Sequence, residues 1–181
     1  MNKLKPLLRF FEKIEKLKTI KRALRVSDQS HQESPAEHSW RMVIMALLLA
    51  ENLKIKIDII KVIKMILIHD LGEIIAGDVW FTKKNKKAEK TKFQQELQGV
   101  KKILALLPAN QAKSWQKLWL EFANRQSAEA KFAYAIDKIE VIIQRGDLHY
   151  ANWERKNILT VILHWADEAV IDYPQFKPLW K

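Results

Sequence analysis

Cysteine is absent from the chain, which excludes disulfides and thiolate metal sites. A tightly held metal must therefore be bound by histidine and carboxylate, which points to borderline or hard cations. Glycine and proline are scarce, at four and five residues, and this favours long helices over short strands joined by tight turns. No apolar run approaches the roughly 18 residues of a membrane span. The start, Met1 to Phe11, carries Lys and Arg but no apolar signal core or small-residue cleavage site. A cytoplasmic location without a membrane partner is the expectation. Acidic residues are outnumbered 21 to 32, leaving a net charge of +11, a balance that suits nucleic acid, a membrane surface or an anionic small substrate. The densest basic run, Lys83 to Lys92, holds six lysines with only Phe93 beside it as an aromatic. It reads as a solvated loop and helix face first and as an anion-steering patch second.

What is present fits one soluble globular domain over residues 1–181, at 48% apolar and 29% charged composition. The expected fold is all-α, a single helical bundle. Leu4, Leu7, Leu8, Phe11, Ile14 and Leu17 form a helical stripe with basic residues opposite. Ser27 to Gln32 is a polar loop. Ser34-Pro35-Ala36-Glu37 starts a second helix with a capping box and Pro at its first position. That helix runs to about Leu53, apolar on most sides, and is expected to be central and buried. Asp58 caps a third, expected to continue through His69-Asp70 to about Gly77. Further helices are expected over about Ala88 to Leu107, Ala109 to Asn124, Ser127 to Arg145 and Trp153 to Ile171, with Pro174 and Pro178 marking a tail.

The chain is organised around Leu67 to Asp78, where His69, Asp70, Glu73 and Asp78 interrupt a strongly apolar run. On a helix His69 and Asp70 flank one edge and Glu73 sits one turn on, so all three can face a common point. Burying an unpaired carboxylate beside an imidazole costs several kcal/mol, and a divalent cation removes that cost while supplying Lewis acidity. The candidate ligands are His38, His69, Asp70 and Asp137, with Glu73 and Asp78 as unligated carboxylates. Taken singly each has a plainer explanation. His38 and His69 could be hydrogen-bonded core histidines, and Asp137 could pair with Lys138 or Arg145. Together they would be several polar exceptions on otherwise apolar helices.

Pro35-Ala36-Glu37-His38-Ser39, His69-Asp70-Leu71-Gly72-Glu73, Gly77-Asp78 and Asp137-Lys138 resemble the H…HD…D pattern of the HD-domain metal-dependent phosphohydrolases. Within that superfamily the chain is most similar to the small branch containing the 5'-deoxynucleotidases. The segments that carry this are Glu33 to Met42, 69–78, and Leu118-Trp119 onward through Ser127, Glu129, Ala130, Phe132, Asp137, Lys138 and Glu140. The resemblance covers about residues 15 to 145. It implies an HD-domain bundle of about six to eight helices in which His38, His69, Asp70 and Asp137 bind one divalent metal, Mn, Fe, Co, Ni or Zn. It associates Glu73 with placing or activating the attacking water, and Asp78 with supporting the site and contacting the nucleotide. Arg22 fits an Arg that holds the substrate phosphate, but the Trp that tends to follow it in this branch is missing from Lys21-Arg22-Ala23-Leu24-Arg25, which leaves the sugar preference open. His31, His149 and His164 match no ligand position.

The function so implied is removal of the 5'-phosphate from small nucleotides, most of all deoxyribonucleoside monophosphates. Two rivals stand beside it: phosphodiester or pyrophosphate hydrolysis by the same kind of site, and a metal-stabilised nucleotide-binding protein without catalysis. Relatives of this type are often homodimers, and the aromatic positions around 115–132 are read as core or subunit interface before nucleic-acid stacking.

Overall fold

This computed structural model describes residues 4–78, 86–147 and 171–179. Among them are seven α-helices and no strand: α1 (Lys5–Ile14), α2 (Pro35–Asn52), α3 (Ile59–Ile68), α4 (Glu73–Ala76), α5 (Lys86–Leu104), α6 (Ala109–Ala123) and α7 (Ala128–Asp147). The all-α expectation holds. Residues 153–170 of the expected helix at Trp153–Ile171 and residues 83–85 of the lysine-rich run lie outside the described residues.

Local signals account for most boundaries. The Ser34 hydroxyl accepts from the Glu37 amide while the Glu37 carboxylate takes the Ser34 amide, completing the capping box of α2. Asp58 caps α3 through the Lys61 amide, and the Ser127 hydroxyl accepts from Ala130 at the start of α7. The expected continuous helix from Ile59 to Gly77 is broken. It stops at Ile68, and the amides of Leu71 and Glu73 reach back three residues, to Ile68 and Asp70, in place of four. Tertiary packing explains the break. A Cβ on Gly72 would stand 2.7 Å from the Glu96 carbonyl oxygen, and one on Gly99 2.5 Å from that of Gly72, so this turn and α5 touch backbone to backbone.

Two hydrophobic clusters result among the described residues. The first joins α2, α3 and α7 through Met42, Ala46, Val62, Ile66, Phe132 and Ile136, and the C-terminal 3-10 turn (Pro174–Leu179) adds the buried Phe176. The tail is thus a core anchor, with the Tyr173 hydroxyl donating to the Ala128 carbonyl at 2.9 Å. The second cluster joins α1, α5 and α6 through Phe10, Ile68, Leu71, Val100, Ile103 and Trp119. Two expected faces differ. α1 buries Phe10 while Leu4, Leu8 and Phe11 stay exposed, and α2 leaves Trp40 (68%), Ile44, Leu47 and Leu48 exposed, so it is central on one side only. The aromatic positions Trp119, Phe122 and Phe132 are buried within the chain, which makes them core residues rather than interface.

Candidate metal centre

The centre lies where the two clusters meet. α2 contributes His38 from its first turns, the tight turn after α3 contributes His69 and Asp70, and α7 contributes Asp137. The ligand-type atoms of His38, His69 and Asp137 all lie within 4.8 Å of one another. Asp70 joins them through its Oδ1, 3.1 Å from His69 Nε2.

Both imidazoles have their ring nitrogens sorted into two roles. His69 Nδ1 donates to the Ile66 carbonyl at 2.6 Å, which leaves Nε2 as the lone-pair nitrogen. That atom is buried and makes no well-directed hydrogen bond. The Trp119 indole N–H donates to the His69 carbonyl at 2.9 Å and fixes the backbone beneath the ring. His38 Nδ1 bonds Glu140 at 2.8 Å, and its Nε2 lies 3.2 Å from Asp137 Oδ1. A metal-binding histidine needs this arrangement, one nitrogen bonded to a carbonyl or carboxylate and the other aimed at the ion. Donor atoms about 2.1 Å from one ion stand roughly 3 Å apart, and the pairs His38–Asp137 and His69–Asp70 meet that spacing at 3.2 and 3.1 Å. The residues present therefore fit a divalent cation.

The electrostatics agree. Burial works against the charged forms of Asp70 and Asp137, yet both are held below the ordinary carboxylate range, Asp70 by His69 and Arg22, and Asp137 by Lys138 and His38. Burial lowers His69, keeping its ring neutral. Burial and Arg22 oppose protonation of His38, but its bonds to Asp137 and Glu140 prevail and raise it to about 9. Burial, then Asp70 and Asp78, push Glu73 up to about 10. Its Oε2 is buried without a hydrogen-bond partner.

A cavity of about 360 Å³ opens beside the centre, and His69, Asp70, Glu73, Asp78, Asp137 and Arg22 all line it. Asp78 Oδ2 accepts from the Ala23 amide at 3.2 Å, tying the segment after Arg22 to the far end of the 69–78 stretch. Arg22 sits where the phosphate ligand was expected but is held on two sides, by Asp70 at 3.2 Å and Glu33 at 3.1 Å. The plainer reading of Asp137 is also realised, since Lys138 Nζ lies 2.6 Å from its Oδ2. One oxygen faces the centre and the other holds the lysine. His31 is exposed, between Ser30 and Glu37, away from the centre, and His149 and His164 lie outside the described residues.

Sequence reasoning gave no role to Glu33 and Glu140, the buried carboxylates behind His38. Glu140 had a legible signal. It lies three residues after Asp137 on the same face of α7, a second acid within an apolar stripe. Glu33, brought in from a loop, stood in the sequence only as the first residue of the Glu33 to Met42 segment, without a role of its own.

The HD domain family matches residues 14–177 of this chain. The chain belongs to the HD domain family. It is 31% identical over 151 residues to the 5'-deoxynucleotidase HDDC2 of Homo sapiens, covering 83% of this chain and 71% of that protein. It is 36% identical over 144 residues to the 5'-deoxynucleotidase HDDC2 of Dictyostelium discoideum, covering 76% and 74%. Among solved structures it resembles that of a predicted metal-dependent phosphohydrolase from Magnetospirillum magnetotacticum MS-1, at 31% identity and a TM-score of 0.75, covering 94% of this chain and 96% of the other. HD domains bind divalent metals, and this chain has the histidine and carboxylate groups placed to hold one.

Proposed function

We propose that this HD-domain protein is a 5'-deoxynucleotidase, a phosphomonoesterase that releases phosphate from nucleoside 5'-monophosphates, deoxyribonucleotides above all. The observation that carries the reading is His69 Nε2, buried without a hydrogen-bond partner and 3.1 Å from Asp70 Oδ1, in one cluster with His38 and Asp137, on the wall of a cavity of about 360 Å³. His38, His69, Asp70 and Asp137 hold the cation, and Mn, Fe, Co, Ni and Zn all suit such ligands. A cation held there would supply Lewis acidity toward a phosphoryl oxygen and a neighbouring water.

The chain's own groups supply the rest. Arg22, fixed by Asp70 and Glu33, presents its remaining N–H groups to the phosphate. In the hydrolysis the oxygen of water forms a bond to phosphorus while the bond from phosphorus to O5' breaks. The water proton passes to Glu73, and the nucleoside leaves as the alcohol once O5' has taken a proton from solvent water. Glu73 holds its proton at neutral pH beside the bare carboxylates. Glu73 must lose that proton before it can take one from water, and a cation held by Asp70 would offset the Asp70 repulsion that adds to burial in keeping the proton on. Asp78, anchored on the Ala23 amide, supports the Arg22 segment at the cavity wall and contacts the nucleotide.

Phosphate release from a panel of deoxy- and ribonucleoside monophosphates, cyclic nucleotides and nucleoside polyphosphates tests this reading. Release confined to the 5'-monophosphates supports it. Untouched monophosphates with cleaved diesters or pyrophosphates would move the activity to the first rival, and nucleotide binding without any release to the second. The exposed α2 stripe of Trp40, Ile44, Leu47 and Leu48 also supports a homodimer in solution, which light scattering on the purified chain checks.

A further inference from the structure

The cavity has a wall that the sequence assigned to solvent. Glu89, Lys92, Phe93 and Glu96 recur at helical spacing on α5, and all four line the cavity. Their placement is fixed by the contact of Gly72 and Gly99, which sets the backbone of Glu96 directly against the turn that carries His69 and Asp70. Among the described residues three cations line the same space: Arg22, Lys138 and Lys92. Two are bound tightly to the centre's own acids, Arg22 to Asp70 and Glu33, and Lys138 to Asp137 at 2.6 Å. Lys92 differs. It pairs with Glu96, one turn along its own helix, at the longer distance of 3.4 Å, and its side chain is 30% exposed. Its charge reaches the centre, since it acts on Glu73 as well as on Glu96.

A phosphate dianion entering this space meets carboxylates on most sides and needs cations that can turn toward it. A lone i,i+4 pair that is still partly exposed and stretched to 3.4 Å is weak and can exchange for a more highly charged anion. An ammonium on a four-carbon stem is a mobile point charge of the kind that binds phosphate. We propose that Lys92 is a substrate-binding residue, which leaves Glu96 for an oxygen of the nucleotide's phosphate and shares that phosphate with Arg22. The inference rests on the phosphomonoesterase reading above. It turns the end of the basic run from a solvated face into part of the site.

The test uses the metal-loaded full chain and its Lys92→Met and Lys92→Arg variants, with inorganic phosphate as calorimetric probe and a deoxyribonucleoside monophosphate as substrate. Loss of a charge-assisted bond weakens phosphate binding and raises KM by about tenfold or more in Lys92→Met, while kcat changes far less and metal content stays as in the parent. Lys92→Arg, which keeps the charge, recovers most of the affinity. Phosphate binding in Lys92→Met within about twofold of the parent, or Lys92→Arg as weak as Lys92→Met, overturns the proposal. The calorimetric arm stands even where the parent hydrolyses no nucleotide. Failure of the nucleotidase reading and failure of the Lys92 assignment therefore give different results.

Discussion

His38 carries a proton that a metal must displace. In the metal-free protein its bonds to Asp137 and Glu140 raise it to about 9 against the cost of burial, so below that value each unit of falling pH weakens metal binding by up to about tenfold. Glu73, raised to about 10, adds a second proton that the native state binds and the unfolded state releases. Both folded values lie above the unfolded ones. These groups therefore make the metal-free fold less stable as pH rises, Glu73 from about 4.5 upward and His38 from about 6.5 to about 9. The acids held low, Asp70 and Asp137, act only below the ordinary carboxylate range. We expect the difference in thermal midpoint between metal-loaded and chelator-treated protein to widen from pH 6 to 9, by scanning calorimetry. A constant difference would contradict the assignment of His38. Glu73→Gln keeps the shape and removes the proton acceptor. It should retain metal and fold while turnover falls by roughly 100-fold or more, and parent-like turnover with metal bound would remove Glu73 from the reaction. His38, His69, Asp70 and Asp137 were candidates in the sequence as polar residues on largely apolar helices, joined into one set by the family resemblance, and the structure brings the ligand-type atoms of His38, His69 and Asp137 together. The double restraint of Arg22 was not legible, since Glu33 and Asp70 reach it from distant parts of the chain.

Among the elements, the turn between α3 and α4 shows where local pattern fails. Periodicity ran a helix through His69 to Gly77, and nothing local forbade it. The break comes from the contact with α5, through two glycines 27 positions apart in the sequence. Caps on α2, α3 and α7 were legible for the opposite reason, because Ser34, Asp58 and Ser127 bond amides three residues on. A Cβ at Gly99 would meet the Gly72 carbonyl at 2.5 Å. Gly99→Ala should therefore cost on the order of 1–3 kcal/mol and shift the turn bearing His69 and Asp70. Denaturant unfolding and metal affinity should both report it. An alanine variant with parental stability and metal affinity would show that α5 and the turn are not tightly coupled. Ser34→Ala isolates a cap from the site, and about 1 kcal/mol of stability should be lost through the N-terminus of α2.

At the scale of the whole molecule, the metal centre joins two hydrophobic clusters. α2, α3 and α7 build most of one, α1, α5 and α6 the other, and His69 stands between them, its ring against Phe122 of the first and its carbonyl bonded by Trp119 of the second. The sequence showed that each helix had an apolar face but not how the faces pair. Phe10 replaced Phe11 as the buried aromatic of α1, and the tail supplied Phe176 to the first cluster. A cation at the seam stabilises only the native state, by about 2.7 kcal/mol at a hundredfold excess over its dissociation constant. Chelation should lower the thermal midpoint reversibly.

The most direct test of the account follows bound metal and phosphate release together, as a divalent cation is titrated into chelator-treated protein with a deoxyribonucleoside monophosphate present. The account predicts no turnover without metal, turnover that rises in step with occupancy of His38, His69, Asp70 and Asp137, and neither metal binding nor turnover in His69→Ala. Undiminished phosphate release from the metal-free protein, or a filled site that leaves every monophosphate intact, would contradict it.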